Sequence, residues 1–211
     1  RSGAVTASLP EQPSACDSDG RVCRVDLSYH GHQLSIISVY APAGNDNTSA
    51  FFTERLAPLI PTQRHVLMGG DYNCILANVD QTNMDAQHRF QGRRGLSAVM
   101  SDHALHDAFR TKYSARAEFT HTGTNGASSA RLDRWLVSAA VVPWVQDVRH
   151  IASPTDHDAV YLEVAPPGCP SLGPGLMQFP TNVLYTPKLR GDLDERVAAI
   201  QQQLQHLEGT Q

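Results

Sequence analysis

Two β-branched apolar runs stand out first, Val22 to Leu27 and Leu34 to Tyr40, separated by the turn-like Tyr29-His-Gly-His. Short apolar runs bounded by Gly and polar residues predict strands, and the brief connection predicts an antiparallel hairpin. Thr48 is placed to cap a helix on which Phe52, Leu56, Leu59 and Ile60 recur at i, i+4, i+7 and i+8, the spacing of one helical face packed on a sheet. His65 to Met68 predicts a short strand, and Gly69-Gly70 after it predicts a sharp turn. A second helix is expected around Leu96, Val99 and Met100. Further strands are expected at Glu118 to Thr120, Leu132 to Val137, Val145 to Ile151 and Ala159 to Val164. Strands outnumber helices and at least one pair is hairpin-linked, which fits a layered α/β arrangement with mainly antiparallel pairing.

Composition narrows this picture. At 211 residues and 41% apolar content the chain is sized for one domain, or one domain with an appendage, and can fill a core. A formal net charge of −4 provides no global basic field, so any nucleic-acid partner must be held by a local site. No apolar stretch approaches the roughly 20 residues needed to cross a bilayer. Cys16, Cys23, Cys74 and Cys169 form no CxxC pair, and in a chain of this size they are expected to be reduced. The opening, Arg1-Ser-Gly-Ala-Val, has neither an initiator Met nor a signal-peptide run, which suggests a piece of something longer. At Ala165-Pro-Pro-Gly-Cys-Pro the composition turns to Pro and Gly. The expected organisation is therefore a domain over 1–165, a linker over 166–186 and an amphipathic helix over 187–208. That helix would open with Thr186 as cap and Pro187 at its first turn, and its apolar stripe runs from Leu189 to Leu207. The stripe needs a partner, either this same domain or a neighbour in a longer parent chain.

Three acidic motifs lie at predicted strand ends: Gly69-Gly-Asp-Tyr-Asn, Arg131-Leu-Asp-Arg-Trp and Ser153-Pro-Thr-Asp-His-Asp. Turns collect carboxylates for solubility, so each motif alone says little, but the set is informative. Asp71 directly follows an apolar strand and Asp156 and His157 directly precede one, so neighbouring strands would bring them to one rim of a sheet. Period-2 alternation places Asp133 with Trp135 and Val137 on one face of its strand. A carboxylate among apolar residues needs a hydrogen-bonded partner, and His157 is the candidate. Carboxylates suit a hard cation such as Mg²⁺, which polarises a phosphoryl group. A His fixed by an Asp can activate water or stabilise a charged phosphate, and Asn73 is a short donor able to position phosphate oxygens. Phosphodiester hydrolysis needs this set of groups.

In this order, Val39-Tyr-Ala-Pro, Gly69-Gly-Asp-Tyr-Asn-Cys, Ser129-Ala-Arg-Leu-Asp-Arg and Thr155-Asp-His-Asp-Ala-Val resemble the endonuclease/exonuclease/phosphatase superfamily, the fold of deoxyribonuclease I and the abasic-site endonucleases, over residues 20–165. The Gly-Gly-Asp-Tyr-Asn-Cys form and Gly173-Pro-Gly-Leu-Met-Gln-Phe are similar to the endonuclease of non-LTR (LINE-type) retrotransposon polyproteins. The resemblance implies an α/β (α+β) four-layered sandwich of two mainly antiparallel sheets flanked by helices, here without its first strands and followed by a C-terminal helix. It also implies that Asp71 orients or deprotonates the attacking water, Asn73 binds phosphate, and Asp156, with Asp71, ligates Mg²⁺ or Mn²⁺. His157 would contact the scissile phosphate while bonded to Asp133, with Tyr40 at the phosphate and Arg131 on the nucleic-acid backbone. The residues themselves leave two alternatives open: Tyr40 as a core-packing aromatic and Arg131 as a solvated strand-edge cation. An Asn-bearing strand and a metal-binding Glu segment that the superfamily carries before the first hairpin have no counterpart here, and Arg1 looks like the chain resuming just after them.

Other constellations read as bland. His30-x-His32 and His103-x-x-His106 lack zinc-site context, Arg89 with Arg93-Arg94 is a local basic cluster that fits a phosphate or a solvated loop, and no GxSxG, Walker or GxGxxG stretch is present. The expected function is metal-dependent endonucleolytic nicking of DNA in a retrotransposon. A downstream reverse transcriptase is the expected partner in the parent polyprotein, and the nucleus the expected location. The alternatives are an inositol-phosphate or sphingomyelin phosphodiesterase, and a non-catalytic remnant.

Overall fold

A computed structural model describes residues 15–43, 47–83, 90–123, 126 and 128–169. The chain divides into two units, 1–169 and 170–211, and every described residue belongs to the first. The expected helix over 187–208, most of the expected linker and the Gly173 segment lie outside the described residues.

The predicted hairpin forms, longer than expected. Strands β2 (Val22–Tyr29) and β3 (His32–Tyr40) pair antiparallel from Tyr29↔His32 to Val22↔Val39. The two-residue turn between them, His30-Gly31, takes positive φ at both positions, +48° and +84°, as a turn that follows the strand twist requires. An edge strand, β1 (Ala15–Cys16), pairs with β2. Beyond β3, α1 (Thr48–Ala50) continues into a π-helical stretch, Phe51–Leu56, and a 3₁₀ turn, Ala57–Leu59. Thr48 is not the cap. Asn47 holds that position, and Thr48 is buried in the first turn.

Strand β4 (His65–Asp71) runs parallel to β3 and does not turn at its glycines. Those glycines are there for space. A Cβ at Gly69 would lie 2.8 Å from the Trp135 ring, and Gly70, at φ +145°, would drive one into the Val39 carbonyl oxygen. Helix α2 (Arg93–Asp102) buries Leu96 and Val99 as its spacing predicts. Two short elements escape the pattern reading, β5 (Leu105–Asp107) and α3 (Ala108–Lys112). The strand expected at Glu118 to Thr120 is instead β6 (His121–Thr122), paired with β7 (Ser129–Ala130). Strand β8 (Asp133–Ser138), a 3₁₀ segment (Ala139–Trp144), β9 (Val145–Ile151) and β10 (Ala159–Val164) complete the described chain.

The main sheet has six strands in the order β1-β2-β3-β4-β8-β5, and β9 with β10 forms a separate antiparallel pair. Period-2 alternation sorts the main sheet into two buried faces. The row Ile37–Met68–Leu136 faces Phe52, Leu56, Leu96 and Val99 of the helices. The adjacent row Ile36–Leu67–Val137 belongs to a second cluster with Trp144, Val148 and Leu162 from the side of β9 and β10. Trp135 ties the layers together, its Nε1 donating to the Val160 carbonyl at 2.9 Å. The described unit is thus a mixed α/β sandwich, as its sequence pattern predicts.

Candidate active site

The row that ends the Ile36–Leu67–Val137 face is polar. Register sets Tyr40 beside Asp71 and Asp71 beside Asp133, at the ends of β3, β4 and β8. Being an even number of residues beyond the second-cluster row, all three belong to the sheet face turned toward β9 and β10. Their partner arrives from that second layer. His157, just before β10, places its Nδ1 2.8 Å from Asp133 Oδ2. Asp71 and His157 therefore do not share one sheet's rim, as the sequence reading expected; they meet across two sheets, because β10 pairs with β9 and not with β4.

Local hydrogen bonds fix each group. Asn73 sits at φ +46°, a conformation Asn tolerates better than most residues. Its backbone N–H donates to Asp71 Oδ1 at 2.8 Å, and its Nδ2 donates both to Asp71 Oδ2 and to the Ala41 carbonyl, each at 2.9 Å. Both amide hydrogens are thereby used. The geometry gives Asn73 the task of holding Asp71 and leaves it no side-chain donor for a phosphate. Thr120 Oγ1 accepts from the backbone N–H of Leu132 and of Asp133, both at 3.0 Å, anchoring the strand start on which Asp133 stands.

Tyr40 is 57% exposed, with the Arg21 guanidinium 5.1 Å above its ring, so it is not a core-packing aromatic. Arg131 contradicts both of its sequence readings. It is fully buried, its Nε 2.9 Å from Asp80 Oδ1 and its guanidinium bidentate on Asp107 at 2.7 and 3.2 Å, so it has no surface to offer a nucleic-acid backbone. Of the basic cluster, Arg93 and Arg94 open α2, and Arg89 lies outside the described residues.

Burial raises the Asp71 carboxyl above the ordinary carboxylate value, and Asp133 adds to the rise; the Asn73 N–H, His157 and the buried Arg134 pull the other way. Desolvation disfavours charge on His157, yet its hydrogen bond to Asp133 and the nearby charges of Asp133, Asp71 and Asp156 outweigh it and raise its pKa. Arg134, which motif reading passes over, is buried, with Nη2 on the Cys74 and Arg131 carbonyls at 2.8 and 2.7 Å, and among the described residues it has no carboxylate partner.

Among the described residues two groups of possible ligand atoms result, the atoms of each lying within 4.8 Å of one another: Asp71, Asp133 and His157, and His121, Asp156 and His157. Asp71 and Asp156, expected together on one ion, fall into different groups that share His157. The first group presents two carboxylates, one of them raised in pKa by burial, and so fits a hard divalent cation such as Mg²⁺. His121 is the residue sequence reasoning missed. Its only signal was a His two residues after Phe119, with nothing to relate it to position 157.

Solved structures share this architecture. The 3′ phosphatase NExo from Neisseria, solved with a product DNA hairpin, matches with a TM-score of 0.58 at 23% identity, over 77% of this chain and 71% of that one. An AP endonuclease from Archaeoglobus fulgidus matches at 0.59 and 14% identity, over 76% and 72%. The AP endonuclease LMAP from Leishmania major matches at 0.61 and 16%, over 78% and 63%. The fold is that of deoxyribonuclease I. No family model and no curated protein sequence matches the chain.

Proposed function

We propose that this domain hydrolyses phosphodiester bonds of DNA with a divalent cation, as an endonuclease. The observation that carries the reading is the hydrogen-bonded Asp133–His157 pair set beside Asp71 at the open ends of three strands. The solved structures of the same fold support a DNA substrate, since one of them holds a product DNA hairpin.

On this reading Asp71, aimed by Asn73, orients the attacking water and takes its proton, a task that suits a carboxylate raised in pKa. The water oxygen bonds to phosphorus as the ester P–O bond breaks, and the leaving oxygen carries off that electron pair and takes a proton from solvent. His157, kept upright and biased toward imidazolium by Asp133, donates to a phosphate oxygen and offsets the growing negative charge. Tyr40, exposed beside Asp71, and the Arg21 guanidinium over its ring complete the phosphate side. Asp71 and Asp133 would hold the cation; when bound, it polarises the phosphoryl oxygen. The finer proposal, nicking that primes a reverse transcriptase encoded downstream in a nuclear retrotransposon, rests on the Gly-Gly-Asp-Tyr-Asn-Cys form and the Gly173 segment.

Nicking of supercoiled plasmid with Mg²⁺, by this chain and by an N-terminally extended parent, tests the proposal. Nicking that falls at least about 100-fold in His157→Ala is the expected result. No nicking by either form, or nicking indifferent to that substitution, overturns it.

A further inference from the structure

The second donor group adds to His157 an imidazole, that of His121, which the proposed hydrolysis does not use. His121 and His157 face each other across an antiparallel bridge, held by the Thr122 N–H on the Asp156 carbonyl at 3.1 Å and the Asp158 N–H on the Thr120 carbonyl at 2.7 Å. Their ring centroids are 4.7 Å apart, and ligand atoms of both imidazoles and of the Asp156 carboxylate lie within 4.8 Å of one another. Ligands about 2.0–2.2 Å from one Zn²⁺ stand roughly 3–4.3 Å apart, so small side-chain rotations close the gap. Two imidazoles and one carboxylate form a borderline set, preferred by Zn²⁺ and its transition-metal neighbours over Mg²⁺, and three protein ligands leave a coordination position open.

Support from behind is also in place. A ligating imidazole normally donates its other ring N–H to a carboxylate, which fixes its tautomer and orientation. His157 already does this: Nδ1 is committed to Asp133 at 2.8 Å, leaving Nε2 for the ion. We propose that His121, Asp156 and His157 form a site for a borderline transition-metal cation of the Zn²⁺ type, distinct from the hard-cation site at Asp71 and Asp133. Because both functions need His157, a Zn²⁺ ion there takes Nε2 away from phosphate, and Zn²⁺ opposes the Mg²⁺-dependent activity. The binding itself does not depend on the nuclease reading.

Zn²⁺ affinity of the 211-residue chain is measured by competition with a chromogenic chelator, alongside long-range ¹H–¹⁵N spectra of the imidazoles. One ion per chain is expected, with Zn²⁺ shifting a ring nitrogen of His121 and Nε2 of His157 together. Affinity should fall by at least about tenfold in His121→Ala and by about tenfold in Asp133→Asn, while Mg²⁺-dependent thermal stabilisation survives in His121→Ala. Unshifted His121 and His157 resonances in the wild-type chain, a reading that does not require any variant to fold, overturn the proposal. So does Zn²⁺ affinity unchanged in a folded His121→Ala. Failure of the nuclease reading appears separately, as absent nicking in Mg²⁺.

Discussion

Two groups of aspartates, both at strand or turn ends and both served by the Ser129-Ala-Arg-Leu-Asp-Arg segment, meet opposite fates. Asp80 and Asp107 are buried but fully answered: Arg131 bridges them, Arg110 pairs with Asp80, and Asp107 caps α3 through the Phe109 and Arg110 N–H groups. Burial alone would raise the Asp80 carboxyl, but Arg131, Arg134 and Arg110 bring it down to about 2. Asp71 and Asp133 lie side by side with one imidazole and no arginine paired to them among the described residues, and Asp71 is left raised. A cluster that neutralises itself holds the fold together. One that stays short of positive charge sits at an open rim, ready for a cation and a phosphate.

The largest effect is expected from breaking the first cluster. Arg131→Ala leaves Asp80 and Asp107 buried without their shared cation and should cost about 3–5 kcal/mol in urea unfolding; a loss under about 1 kcal/mol would mean the network adds little to the fold. Next comes Asp133→Asn in the second cluster. It should lower nicking by about 100-fold, the weight of one positioned acid–base group, with a much smaller change in unfolding free energy. Equal damage to stability and activity would erase the distinction between the clusters.

Acid titration separates them further. The folded pKa of Asp80 lies below its unfolded value, so its contribution is fully present above about pH 4 and is lost as pH falls toward about 2, amounting to about 2 kcal/mol. Asp80→Asn should remove that part of the acid transition. Asp71 has the opposite sign: its folded pKa is raised, so it subtracts from stability once pH exceeds the ordinary carboxylate value. The smallest expected effect follows. Asp71→Asn should slightly raise the melting temperature at pH 7 in cation-free buffer and reduce the further rise produced by Mg²⁺, both readable by calorimetry. A variant that melts lower, with an undiminished Mg²⁺ response, would remove Asp71 from the cation site.

Local pattern was enough for the β2–β3 hairpin, for the buried face of α2 and for both ends of β9 and β10, where apolar periodicity and turn residues agree. It also located Asp71, Asp133 and His157 and paired the last two, since an Asp on a strand between apolar neighbours needs a donor. It failed where the deciding neighbour is distant in sequence. Gly69 and Gly70 read as a turn until Trp135 and Val39 occupy the space a Cβ would take. Arg131 reads as a surface cation until Asp80 and Asp107 close on it from 51 and 24 residues away.

What the chain determined by itself is the order of its longer strands and of α2, the chemical kinds of most of its site residues and the partnership of Asp133 with His157, because these depend on local periodicity and on the solvation demands of single groups. Tertiary structure decided which sheet carries His157, that Asn73 spends its amide on Asp71, that Arg131 belongs to the core, and that His121 stands against His157. Those outcomes depend on register between strands far apart in sequence, and an alternating pattern gives the face of each residue without naming the neighbour it will meet there.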